Sequence, residues 1–191
     1  PVSNIFIYIL SFVKILAITL VLYFGFTRVY AAQTLFNQSL EAIKANKGVE
    51  TYNLQIEAIQ KNRFIPQYHL AYATTNLALA NSLATSKPEL STQDRANVTQ
   101  LVQQAIREGK LAVKLNPQDP TNWETLANIY RSLINIAQGA DNWTIATYIQ
   151  AITVDPVTPR LRLDLGSVYF ALGRYDDAIT SFLEAITLKP N

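Results

Sequence analysis

The sequence predicts an all-α protein, an N-terminal transmembrane helix followed by an α-solenoid of helix pairs. Three observations carry this reading. Residues 5–26 form an apolar run long enough to cross a bilayer. After them, apolar and small residues recur at three- and four-residue spacing, and no stretch alternates at period two. A short pattern, Ala followed by an aliphatic residue, then echoes along the chain at 58, 112, 151 and 185.

Residues 5–26 read IFIYILSFVKILAITLVLYFGF, and 15 of the 22 are Ile, Leu, Val or Phe. As a helix they extend about 33 Å, the thickness of a hydrocarbon core. At about −0.3 to −0.6 kcal/mol each, the 15 contribute roughly −7 kcal/mol to insertion, against a cost of about 2.5–3.5 kcal/mol for Lys14. Tyr8, Tyr23 and Tyr30 suit the interfaces, and Arg28 is a polar stop. A cleaved signal peptide is one alternative, with Lys14 as its charge, residues 15–26 as its apolar core and Val29-Tyr30-Ala31 as its cleavage site; a buried soluble helix is the other, disfavoured because the segment is apolar all round. The apolar run before Lys14 favours the span. Lys14 itself reads either as a functional intramembrane charge or as a lysine that snorkels or faces a neighbouring helix.

From Thr27 the pattern turns amphipathic without a break, so the membrane helix is expected to continue into the first soluble one. Asn46-Lys47-Gly48 ends it, with Gly48 in the stop position. The domain organisation expected is a transmembrane helix over 1–27, degenerate helix pairs over 28–118, and two better-defined units at 119–156 and 158–190. The four echoes lie 54, 39 and 34 residues apart. Relative to a 34-residue unit, the first interval carries an excess of 20, expected as a loop near 82–94. The second carries an excess of five, expected around residues 138–142. Ser91-x-x-Asp94, Asp119-Pro120 and Thr158-Pro159 read as helix starts, with Thr121-x-x-Glu124 as an alternative capping box.

The last stretch, PRLRLDLGSVYFALGRYDDAITSFLEAITLKP, divides once, at Gly173. Leu165-Gly166, Tyr169 and Leu172 share one face of its first helix; Ala178, Phe182, Ala185 and Ile186 share one face of its second. Leu-Gly, Tyr, Ala, Phe and a closing Pro at this spacing resemble the tetratricopeptide repeat, with Arg162 where the family has a leading Trp. Trp123, Leu126, Ala127 and Tyr130 repeat the first half of the pattern. Tyr148, Ala151 and Pro156 keep part of the second half, with Thr144 in place of a small Ala. In the earlier units Gly109 occupies the aromatic slot and Arg63 replaces the proline.

The resemblance implies a concave face, lined by the first helix of each pair, that binds a protein or peptide partner. Helix phase puts Thr121, Glu124, Asn128 and Arg131 on that face in one unit, and Leu163, Ser167 and Phe170 in the last. Some family members clamp a C-terminal carboxylate there with Lys and Asn pairs. Asn128 stands at one such position, but Glu124 replaces the lysine and Ser167 the second asparagine.

Composition narrows the remaining classes. With 16 basic and 14 acidic residues the chain lacks a nucleic-acid footprint, and it has no cysteine for a disulfide or a thiolate site. His69 is the sole histidine and reads as a packed or surface residue. Asp176-Asp177 reads as a helix start rather than a metal or acid pair. Asn37, Asn97 and Asn142 head tripeptides of the glycosylation type, which are common by chance. No catalytic residue, metal site or cofactor is expected. The absence of Met and the stop just after Pro190 read as an internal piece of a longer protein, with further repeats or a capping helix downstream.

Two functions follow. One is a membrane-anchored scaffold, held by residues 5–26, that gathers protein partners at the bilayer. The other is the C-terminal repeat domain of a multi-span bacterial polysaccharide polymerase or ligase, which the arrangement resembles in its O-antigen type. Arg28, Lys44 and Lys47 pull the repeats toward the cytoplasm, whereas the polymerase resemblance and the Asn-, Gln-, Thr- and Tyr-rich surface place them outside. The extracytoplasmic side is the expectation.

Overall fold

A computed structural model describes residues 2–188, with side chains from Tyr8 onward. Pro190 and the side chains of residues 5–7 in the apolar run therefore lie outside the described residues. Among those described there are eight helices and no strand: α1 (Val2–Lys44), α2 (Gly48–Lys61), α3 (Pro66–Thr85), α4 (Thr92–Leu115), α5 (Pro120–Arg131), α6 (Ala140–Val154), α7 (Pro159–Ala171) and α8 (Tyr175–Leu188). They divide into two compact units, α1–α2 and α3–α8, on either side of the Arg63–Phe64 bond.

In the first unit α1 runs for 43 residues without interruption. It is long and apolar enough to cross a membrane. Every side chain from Tyr8 to Phe26 is exposed. Along that stretch Thr19 donates its hydroxyl back to the Ile15 carbonyl, and at its end Thr27 does the same to Phe24. Both threonine hydroxyls are thereby satisfied within the helix, which a hydrocarbon environment demands. From Ala32 the character changes: Ala32, Phe36, Ser39 and Ala42 are buried at three- and four-residue spacing, and α1 packs against α2. Ser39 and Ala32 are small, so the helices can approach closely.

The turn after α1 differs from expectation. Asn46, not Gly48, takes the left-handed conformation, at φ 55°. Lys47 N–H bonds to Ala42 O and Asn46 N–H to Ile43 O, both at 2.9 Å, the paired closure of a Schellman turn. Asn tolerates that conformation, which frees Gly48 to open α2.

In the second unit, α3–α4, α5–α6 and α7–α8 form antiparallel-style pairs, with α4 against α5 and α6 against α7. The echo positions prove to be one structural device. Ala58, Ala112, Ala151 and Ala185 are all buried. At the first three, the residue that stops the helix donates its N–H to the echo alanine: Asn62 to Ala58 O at 2.9 Å, Asn116 to Ala112 O at 3.1 Å, Asp155 to Ala151 O at 2.9 Å. A turn of residues 62–65, 116–119 or 155–158 follows each, ending at Pro66, Pro120 or Pro159. Proline suits these first helical positions because its missing N–H has no intrahelical partner there.

The 20-residue excess is mostly helix, not loop. α3 has 20 residues against 13 in α7, and α4 has 24 against 14 in α8. The connection, residues 86–91, is only three longer than residues 172–174. Lengthening by about two and three turns keeps each helix in phase with its buried face. The five-residue excess falls at residues 132–139, a connection of eight, and Ala140 to Asn142 already belong to α6.

Two of the expected caps form and two do not. Ser91 accepts from Asp94 N–H at 3.0 Å, and Asp119 from Thr121 N–H at 2.9 Å. Thr121 is thus inside α5, so no capping box forms with Glu124. Thr158 caps nothing with its side chain. Its Oγ1 instead donates to Asp155 Oδ2 at 2.7 Å, and Asp155 Oδ1 accepts from the N–H of Val157 and of Thr158. The turn is therefore held from its first residue.

Candidate partner-binding face

α5 and α7 each pack on α6, and an ion pair bridges the two. Arg160, in the first turn of α7, is bidentate on Glu124 of α5, with Nη2 2.6 Å from Oε2 and Nη1 on Oε1. Nη1 also lies 3.6 Å from Asp164 Oδ2. Helix phase alone makes Glu124 a free surface position; its side chain is only 14% exposed, because the guanidinium covers it. Asn128, one turn further along α5, is exposed but accepts from Tyr148 of α6 at 2.7 Å through Oδ1. Its amide nitrogen is the group left facing outward. Arg131 and Thr121 are exposed at the two ends of the row.

On α7, Leu163 and Phe170 are exposed, as expected, and the Phe170 ring meets Tyr175 edge-on at 5.4 Å. Ser167 is only half-exposed, and its hydroxyl is spent on the Leu163 carbonyl at 2.8 Å. The face therefore has a charged, amide-bearing half on α5 and an apolar half on α7.

Its electrostatics are set by partial burial. Loss of solvation raises the Asp164 carboxyl above the ordinary aspartate range, and the neighbouring Glu124 charge adds to the rise. Burial likewise raises the Tyr148 phenol, with Asp164 reinforcing and Arg131 opposing. Arg160 is held charged by Glu124. Two carboxylates and two guanidiniums are thus gathered in one place, nearly balanced. Such a patch discriminates by position of charge rather than by net charge.

Sequence pattern does not reveal Arg160, Asp164 or Tyr148 as members of this face. Glu124 and Arg160 are 36 residues apart, and no periodicity within one helix connects them. His69, by contrast, is buried, with Nδ1 2.7 Å from Glu108 Oε2 across the α3–α4 pair, away from this face. Asp177 pairs with Arg174 at the start of α8. Among the described residues no group of three His, Cys, Asp or Glu is placed to hold a metal.

Paired helices joined by four-residue proline turns, with buried alanines repeating at each pair, define a helical-repeat protein. The family model of the tetratricopeptide repeat matches residues 159–191. Solved structures share the fold across most of the chain. The crystal structure of MamA aligns with TM-score 0.63 at 16% identity, over 83% of this chain and 78% of that one. TTC0263, a thermophilic tetratricopeptide-repeat protein of Thermus thermophilus, aligns with TM-score 0.62 at 22% identity, over 84% and 76%. The first tetratricopeptide-repeat domain of Spaghetti (RPAP3), bound to the HSP90 peptide SRMEEVD, aligns with TM-score 0.56 at 14% identity, over 75% and 97%. At these identities the likeness is one of fold. No curated protein matches the chain.

Proposed function

We propose that the chain is a membrane-anchored, non-catalytic scaffold that binds a protein or peptide partner on the α5–α7 face. The observation that carries this is the Glu124–Arg160 pair: it bridges two first helices that each pack on α6, and Thr121, Asn128, Arg131, Leu163, Ser167 and Phe170 lie around it outside the core. A preorganised surface binds without the entropic cost of ordering itself. The mixed chemistry suits an extended peptide with an apolar side chain for Leu163 and Phe170 and a backbone or polar group for Asn128. The neighbour that carries the HSP90 peptide supports peptide binding as a use to which this fold can be put.

The anchor in this reading is residues 5–26 of α1, with the repeats on the extracytoplasmic side. Protease added to intact cells cuts the repeats on that arrangement and leaves them whole on the opposite one. The binding role is tested by selecting peptides from a display library on the chain in lipid nanodiscs. Selected peptides lose about tenfold in affinity with Arg131→Glu or Phe170→Ala. Peptides indifferent to both substitutions would place the binding elsewhere.

A further inference from the structure

The second helices α4 and α6 carry a surface of their own, apart from the α5–α7 face. On α6, Trp143, Ala146, Ile149 and Thr153 are exposed at three- and four-residue spacing, Trp143 at 50% and Ile149 at 48%. This side stays open with both neighbours of α6, α5 and α7, packed in place. Asp141, the sole charge of α6, is half-buried, and residues two apart do not share a helix face with Trp143. A 39-residue shift, which carries Ala112 to Ala151, puts Arg107, Lys110 and Lys114 of α4 where α6 has Ala146, Ile149 and Thr153. All three cations are exposed. Arg107 comes no nearer than 3.8 Å to Glu108, and Lys110 and Lys114 have no ion-pair partner among the described residues. α4 and α6 both pack against α5. Tyr130 of α5 joins them: it shares a core cluster with Val113 of α4, and its ring lies 5.5 Å from that of Trp143. An uncharged apolar row thus stands beside a basic one.

We propose that this α4–α6 surface docks on an anionic bilayer. Trp143 and Ile149 enter the boundary between headgroups and acyl chains, and Arg107, Lys110 and Lys114 meet the lipid anions. Charge complementarity selects this occupant. A tryptophan and aliphatic residues flanked by unpaired basic side chains match the chemistry of a membrane interface, apolar below and negative at the headgroups. The nearby acids do not cancel the cations. Glu108 has its side chain only 14% exposed and is engaged by His69, and Asp94, in the first turn of α4, is held by Ser91 and Lys87. A second copy apposed through the same surface brings the cations no counter-charge.

The whole chain, held in phosphatidylcholine nanodiscs, is mixed with large liposomes, and the cosedimenting fraction is measured. Liposomes rich in phosphatidylglycerol bind at least about tenfold tighter than pure phosphatidylcholine ones. That affinity falls at least about tenfold when Lys110→Glu and Lys114→Glu are combined, and again in Ile149→Asp alone. It stays unchanged in Arg131→Glu, which separates this surface from the α5–α7 face. The substituted positions are exposed, so thermal unfolding of the variants stays at the wild-type temperature. The chain lacks cysteine, so a nitroxide on Ile149→Cys reports one site. On anionic liposomes it gains access to oxygen and is shielded from a water-soluble nickel chelate. Binding without preference for anionic lipid, binding that survives the paired lysine substitutions, or an equal loss in Arg131→Glu overturns the proposal. So does a nitroxide that stays in water on the bound chain. Spin–spin broadening before liposomes are added means that a second copy covers the face, and overturns it too.

Discussion

Arg162 Nη1 donates to the Pro156 carbonyl at 2.7 Å, and Trp123 Nε1 donates to the Pro117 carbonyl at 2.8 Å, one repeat earlier. The arginine thus keeps the hydrogen bond of the tryptophan it stands in for, anchoring the first helix of a repeat to the turn that precedes it. Arg162 Nε also lies 3.3 Å from Glu184 Oε2 of α8. Arg162→Ala removes both contacts and is expected to cost about 1–2 kcal/mol, most of it from the bond to the carbonyl. Arg162→Trp retains a donor and is expected to cost less than half as much. Urea unfolding of the two variants distinguishes these outcomes.

Gly166 is required by proximity. A Cβ there would lie 2.5 Å from Cε1 and 2.7 Å from Cδ1 of Phe182. Gly166→Ala is expected to destabilise by about 1–3 kcal/mol from overpacking, partly offset by its better helix propensity. Gly166→Trp is expected to separate α7 from α8. In a Phe182→Ala background the Gly166→Ala penalty largely disappears, because the two residues share the same space. An undiminished penalty in that background would remove Phe182 as the cause.

Two carboxylates give opposite pH dependence. Asp164 has its folded pKa raised, chiefly by burial and then by Glu124. Its contribution to stability is present below the unfolded value of about 3.9 and is lost as pH rises through the raised one. Asp155 has its folded pKa lowered, first by the Thr158 hydroxyl. Its contribution is present above the unfolded value and is lost as pH falls through the lowered one. Asp164→Asn is expected to flatten the stability profile above about pH 4, and Asp155→Asn to flatten it below about pH 4. Thermal melts from roughly pH 2.5 to 7 read both slopes.

Lys14 has no partner side chain among the described residues. Lys14→Leu is expected to favour membrane insertion by roughly 3–4 kcal/mol. The measurement is the inserted fraction in a glycosylation-mapped translocation assay of residues 1–31. An unchanged fraction would mean that the lysine already reaches the interface at no cost.

The fold is legible where the sequence repeats a backbone requirement. Ala151 and Ala185 announce their role because each is closely packed, and Gly173 because φ is +74° in the closing turn. The lengthening of α3 and α4 is not legible as helix. Adding nearly whole turns preserves periodicity, while Lys87-Pro88 draws attention to a loop that is in fact short. Gly109 looks like a degenerate aromatic slot, yet it admits Leu126 and Ile129, whose Cδ1 atoms would both lie 3.1 Å from a Cβ. Only the partner helix shows what would crowd a larger residue there. The candidate face is half legible. Phase places Thr121, Glu124, Asn128 and Arg131 in a row, but nothing local reports that Tyr148 occupies the Asn128 oxygen or that Arg160 covers Glu124.

The continuity of α1 is the claim on which anchoring rests, and site-directed spin labelling measures it directly. Single cysteines are placed at successive positions from 8 to 44 in the chain reconstituted in vesicles, and their accessibility to oxygen and to a water-soluble nickel chelate is recorded. The account predicts oxygen access without helical periodicity over 8–26. It then predicts a helical period from 32 onward in the same phase, with positions 32 and 39 shielded from both reagents. Nickel access throughout 8–26, or a phase break between 27 and 31, would contradict it.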